Sequence, residues 1–400
     1  MHLSPAAAYL LDTLHENGYG AWLVGGCVRD SLRGVCPHDF DIATTALPKQ
    51  VMSCFPDFQL LPTGIRHGTV TVVADGGLLE VTTLRCEGSY GDGRRPDAVT
   101  FVTDIKADLA RRDFTINAMA WNSVDGLVDP FGGQDDLARG LLRCVGDPVE
   151  RLQEDSLRIM RCLRFAACFG FSIHEETVLA LHSQKEGLQR VAVERIWHEL
   201  SILLCGAFAA EVIGDYLDIL KVIITDIIPN VDKKLLAATP CDSGVRLALL
   251  LNGTPPETAL RRLRLDNDTL RKTTVLCALL ALPLPCTRSE AAELTLQAGP
   301  ARMWELMGIW RAQALTAQPE EAECLSAALM YGEQVLSCGC CSVKQLAIDG
   351  NTLIDLGMSP GPGFGKLLGS LALAVMDGSC ENEVRALTAL ARRLYRGEKV

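Results

Sequence analysis

Four hundred residues exceed what one comfortable core holds and point to two to four domains, 48% apolar with few aromatics, hence globular and helix-rich. The longest apolar run, residues 273–286, is too short to span a bilayer and is broken by Pro283 and Pro285. A formal charge of −11 argues against a broad, non-specific nucleic-acid binder, yet arginines cluster at 94, 95, 111, 112, 139, 143, 151, 158, 161 and 164 and leave room for a local basic track.

Ser4-Pro5 reads as a cap and first-turn proline opening a helix that ends near Gly18. No basic region precedes its apolar residues, so no secretory leader is expected, and the 16 cysteines read as reduced thiols in a cytosolic protein. Residues 21–24 follow as a short buried strand. Gly25 and Gly26 then permit a tight turn with close backbone approach, and VRDSLRG opens a helix. Free N–H groups at that helix start, with Arg29 as a two-pronged donor in its first turn, suit a phosphate beside Gly26.

The next segment, HDFDIAT, places Asp39 and Asp41 two apart. On a strand both carboxylates face one point, and two like charges so placed want a cation. Magnesium fits, since it takes one or two carboxylates and fills its remaining positions with water and substrate phosphates. That is phosphoryl or nucleotidyl transfer chemistry. Read apart, Gly-Gly is an ordinary turn and Asp-x-Asp a solvated strand end; their joint spacing favours a site.

Residues 68–75 and 78–85 flank Gly76-Gly77 as an antiparallel hairpin. Glu80 on its second strand is either a third carboxylate assisting catalysis or a strand residue in a local ion pair. Residues 86–96, CEGSYGDGRRP, carry no hydrophobic pattern and read as a mobile loop. Residues 98–102 form a further short strand. After Asp147-Pro148 helical periodicity takes over to the end. On a wheel Leu157, Met160, Leu163 and Ala167 share an apolar face, and Asp155, Arg158, Arg161 and Arg164 wind across the opposite side. The one C-x-x-C, 338–341, lacks a second pair or a histidine at zinc spacing.

GGCVRD, HDFDIATTALP, RRDFTINAMAW, DPFGGQDDL and EDSLRIMRCLRFA, in that order over the first 170 residues, resemble the class II tRNA nucleotidyltransferases, the CCA-adding enzymes, whose head is shared with bacterial poly(A) polymerases. ERIWHEL near Glu194 and AIDGNTLIDLGMSPGPGFGKLL resemble the bacterial CCA-adding type more loosely. The resemblance implies an α+β chain: a mixed-sheet nucleotidyltransferase head (1–140), then an all-α neck (141–205), body (206–310) and tail (311–400), the last two binding tRNA. It also carries over Arg112, Arg158, Arg161 and Arg164 as nucleotide contacts, with Asp113 holding the loop beside Arg112. The loop at 86–96 corresponds to the flexible loop of enzymes that add the terminal adenosine.

The resulting expectation is a cytoplasmic, template-independent enzyme that adds C, C and A to tRNA from CTP and ATP. Asp39 and Asp41 hold two Mg2+ and Glu80 assists. An A-only enzyme or a poly(A) polymerase with the same head is the alternative, and the acidic balance disfavours the latter. For base selection, Asp155 facing the amino group and Arg158 facing the ring nitrogen would accept C and A and reject U and G, because a carboxylate only accepts and a guanidinium only donates. The plainer reading of the two residues is an exposed intrahelical ion pair. No membrane is implied, and oligomeric state is not legible.

Overall fold

The structure, a computed structural model, describes the chain except residues 2, 75–76, 88–98, 226, 252–255, 360, 362 and 397–400. Two compact units emerge, one comprising residues 1–203 and 216–223, the other 204–215 and 224–400.

The first unit opens with α1 (Pro5–Glu16), whose first-turn Ala7 N–H is capped by Ser4 Oγ at 3.1 Å, and β1 (Ala21–Val24). Next come α2 (Gly26–Leu32), β2 (Asp41–Thr44), α3 (Pro48–Cys54) and β3 (Gln59–Leu61). β4 (Thr69–Ala74) and β5 (Gly77–Thr83) form the expected antiparallel pair, and β6 (Arg85–Glu87) pairs with β7 (Val99–Phe101). α4 (Ile105–Ala110), β8 (Ala120–Asn122), β9 (Gly126–Val128), α5 (Gly133–Arg139) and β10 (Leu141–Leu142) complete the head.

Seven strands make one mixed sheet in the order β3-β4-β5-β2-β1-β8-β9, and only the β2–β5 pairing is parallel. Alternation along the strands divides the core between two faces. Leu23, Ile42, Val70 and Val81 pack with α1 and α3 through Leu10, Leu14 and Val51. Trp22, Val24, Ala43 and Leu84 pack on the other face with Ile105 and Leu109 of α4.

The helical part begins at α6 (Pro148–Glu154), capped by Asp147, and continues into α7 (Leu157–Phe169), β11 (Ser172–Ile173), α8 (Glu175–Gln184) and α9 (Val193–Leu204). Leu157, Met160, Leu163 and Ala167 are buried as read, but so are Arg158 and Phe165 on the other side of α7. The second unit has helices and no strand among its described residues, from Ala209–Asp215 to Val384–Tyr395. Within it, buried Arg246 donates to the carbonyls of Leu204 and Thr239. None of the 16 cysteines, all among the described residues, forms a disulfide. No described helix is long and apolar enough to cross a membrane.

Candidate active site

The site grows from strand register. β1 runs antiparallel to both β2 and β8, pairing Val24 with Asp41 on one side and with Ala120 on the other. The end of β1, the start of β2 and the start of β8 therefore meet at one edge of the sheet. Gly25 turns the chain there with φ +74°, a left-handed conformation that glycine adopts without strain, and a Cβ on it would lie 2.9 Å from Arg112 Nη1. The backbone is what calls for glycine at this turn, since the nearby end of the Arg112 side chain can move aside.

β2 starts at Asp41, so Asp39 lies in the lead-in and not on the strand. The reason is the same turn: β1 has left the ladder at Gly25 and offers no partner further out. In place of two carboxylates on one strand, the register sets Asp41 beside Glu80 of the parallel β5, on the same face. Burial and the nearby Glu80 push the Asp41 carboxyl up, against the pull of Arg112, and Asp39 raises it further. Such a crowd of negative charge favours a cation. Among the described residues no set of three or more His, Cys, Asp or Glu is arranged to hold a metal.

The RRDFT loop arrives at this edge with its carboxylate turned inward. Asp113 accepts the Phe114 N–H at 2.8 Å, the Asn117 amide at 3.0 Å and Arg161 Nε at 2.8 Å. Burial alone would raise its carboxyl; Arg161 and these hydrogen bonds together lower it to about 2. Arg112 contacts Asp108 at 3.4 Å, and its buried Nε has no hydrogen-bond partner among the described residues. A buried N–H left open beside a cleft is a donor in reserve.

Arg29 differs from its expected part as a two-pronged phosphate donor. Its Nε and Nη2 both donate to Asp30 at 2.9 Å and its Nη1 to Asn117 at 2.7 Å, while its guanidinium lies 5.3 Å from the Phe165 ring centre and 5.0 Å from that of Phe169. The fork is occupied, and Arg29 ties α2 to α7. Gly26 is the first residue of α2, beside the turn.

Asp155 is not on the helix that carries Arg158. It closes α6 in an extended conformation (φ −141°, ψ 102°), and α7 begins at Leu157. Its Oδ1 accepts the Leu157 N–H at 3.0 Å and its Oδ2 accepts Arg195 Nη2 at 2.9 Å. Arg158 in turn donates to Glu154 at 2.6 Å and to the carbonyls of Arg151 and Arg111 at 2.8 and 2.9 Å. An intrahelical ion pair between Asp155 and Arg158 is thus replaced by two separately anchored side chains. Three of the five N–H groups of Arg158 are committed and two remain.

Arg161 pairs with Asp113, which raises the guanidinium pKa, and Arg164 pairs with buried Glu199 at 2.5 Å, where burial lowers it despite that carboxylate. Arg164 also stacks 4.1 Å over Phe165. The sequence reading passed over Phe165, Asn117, Arg195 and Glu199. The last two stand four apart in ERIWHEL, on one face of α9, which was the available signal.

These groups line a cavity of about 730 Å3 that contains eight arginines (29, 85, 111, 112, 158, 161, 164 and 195) against Asp41, Asp113 and Asp155. A smaller recess of about 180 Å3 holds Asp41 and Glu80 with Arg112. Eight guanidiniums against three carboxylates favour a polyanion in the large cavity. The loop expected at 86–96 falls, beyond Glu87, outside the described residues.

Comparison with known proteins shows the family. A family model described as the poly A polymerase head domain matches residues 21–143, one for an RNA- and SrmB-binding site of polymerase A matches 170–215, and one for tRNA nucleotidyltransferase domain 2 matches 245–391. CCA-adding enzymes of Limosilactobacillus fermentum and Geobacillus thermodenitrificans are 34% and 35% identical, over 97% and 95% of this chain and 96% and 94% of theirs. The crystal structure of the Bacillus stearothermophilus CCA-adding enzyme in complex with CTP superposes with a TM-score of 0.76 at 30% identity, covering 99% of each chain.

Proposed function

The chain belongs to the CCA-adding enzymes, template-independent nucleotidyltransferases that complete tRNA from CTP and ATP, and we propose how its residues divide that work. The full-length relatives bear the CCA-adding name, which favours CCA addition over a poly(A) or A-only product. Divalent-metal chemistry in general comes with the family, and magnesium is our specific assignment.

Asp41, with Asp39 in the lead-in, would hold Mg2+, and Glu80 stands beside Asp41 as the assisting carboxylate. This donor set fits the ion: hard oxygens only, few of them, with a raised Asp41 carboxyl that a cation relieves. Two such ions held by Asp39 and Asp41 would supply a lowered pKa for the attacking hydroxyl and charge neutralisation for the leaving pyrophosphate.

The protein's own part is placement and charge. Arg161 and Arg164 lie along the cavity to face a triphosphate, each held by a carboxylate from behind, and Arg112 offers its open Nε at the Gly25-Gly26 turn. Asp155 and Arg158 present an acceptor and a donor to the base edge. With each Asp155 oxygen accepting one bond, the carboxylate keeps lone pairs for an amino group. Chemistry then belongs to the head (1–140), base selection to the neck (141–205) and tRNA binding to the body (206–310) and tail (311–400). A cytoplasmic location goes with tRNA as substrate.

The register of Asp41 against Glu80 at the mouth of an arginine-lined cavity carries this reading. Asp41→Asn and Asp39→Asn should each abolish nearly all pyrophosphate release while leaving tRNA affinity within a few-fold, because the pair meets cations and not the RNA helix. Turnover near wild type in either variant would remove that carboxylate from the reaction.

A further inference from the structure

Asp155 stands at a break between two helices, where its backbone is extended and no helical turn fixes its side chain. Among the described residues two contacts orient the carboxylate. One is local, the Leu157 N–H on Oδ1 at 3.0 Å; the other comes from a separate helix, Arg195 Nη2 on Oδ2 at 2.9 Å. Both side chains line the nucleotide cavity.

We propose that Arg195 is a positioning residue for base selection, which by clamping Oδ2 fixes the face of the Asp155 carboxylate that meets the amino group of the incoming base. The inference rests on the base-reading role of Asp155 given above. Rejection of U and G depends on a carboxylate that cannot turn away: a carbonyl brought against fixed lone pairs is repelled, whereas a mobile carboxylate swings aside and admits it. The local bond to Leu157 constrains one oxygen and leaves the other free to rotate about it. Arg195 removes that freedom.

A purely structural staple between the α6–α7 break and α9 is the competing account. Against it stands the second amine of the same guanidinium: Arg195 Nη1 is buried and has no hydrogen-bond partner among the described residues. An orphaned buried donor costs stability, so a contact kept for stability alone is poorly served by arginine. The planar guanidinium does supply a directed hydrogen bond to one chosen oxygen, which a lysine ammonium holds less firmly.

The test compares kcat/KM for CTP, ATP, UTP and GTP in wild type, Arg195→Ala, Arg195→Lys and Asp155→Ala, with melting temperature and tRNA affinity alongside. Arg195→Ala should lower discrimination against UTP and GTP about tenfold, as expected when a polar specificity contact loosens. Melting temperature and tRNA affinity should hold, and Arg195→Lys should fall between. Should the alanine variant fail to fold, Arg195→Met keeps the aliphatic stem and takes its place. Unchanged nucleotide ratios in a folded Arg195 variant, with ratios eroded in Asp155→Ala, would overturn the proposal while sparing the role of Asp155. Unchanged ratios in Asp155→Ala would overturn both.

Discussion

Two aspartates that line the same cavity are driven in opposite directions by their surroundings. Asp41 is raised because burial, Glu80 and Asp39 outweigh Arg112. A carboxyl raised in the folded chain stabilises it only while protonated, at acid pH, and opposes folding once pH passes its folded value. At neutral pH and without divalent ions, Asp41→Asn should therefore melt above wild type even though it is inactive; a lower melting temperature would contradict the crowded-carboxylate account. Asp113 is the reverse case. Its carboxyl, lowered from 3.8 to about 2, stabilises above 3.8, and that contribution is lost as pH falls through about 2. The shift corresponds to roughly 2 kcal/mol. Urea unfolding should show Asp113→Asn less stable than wild type by about that amount at neutral pH, with the gap closing toward about pH 2. A gap independent of pH would mean that packing, not charge, is what the variant lost.

At the scale of elements, much of the head was legible because short-range rules govern it. The Ser4-Pro5 cap, the 21–24 strand and the β4–β5 pairing all follow from turn chemistry and alternation. Partnering between distant segments was not. Arg29 looks like a phosphate donor in its own heptapeptide, and only the approach of α7 and Asn117 shows it to be enclosed. The break at Asp155-Ser156 was readable: two residues of the type that start helices stand just before an apolar run, and a wheel drawn through them hides that. DPFGGQDDL holds a similar lesson. Gly132 turns with φ +71°, but Gly133 is required by space, since a Cβ there would overlap the Thr115 carbonyl. Gly133→Ala forces that backbone aside and should cost about 1–3 kcal/mol, the range of an overpacked core. Chemical denaturation measures it, and a loss within error of zero would show that α5 moves freely against the RRDFT loop.

For the whole molecule, composition and site pull apart. A chain of net charge −11 gathers eight arginines around one cavity, so basicity is local and placed where we propose that a triphosphate is held. The acidic total spoke against indiscriminate nucleic-acid binding and said nothing about this cluster, whose members come from α2, β6, the RRDFT loop, α7 and α9. The helical second unit, by contrast, was legible only as a helical array. What its surfaces grip follows from family membership and not from any periodicity. The most direct measurement of the account is to sequence the products formed on a tRNA lacking its 3′ terminus, supplied with all four nucleoside triphosphates. Addition of C, C and A, then arrest, is the predicted outcome; a lone adenosine, an adenosine tract or incorporated U and G would contradict it.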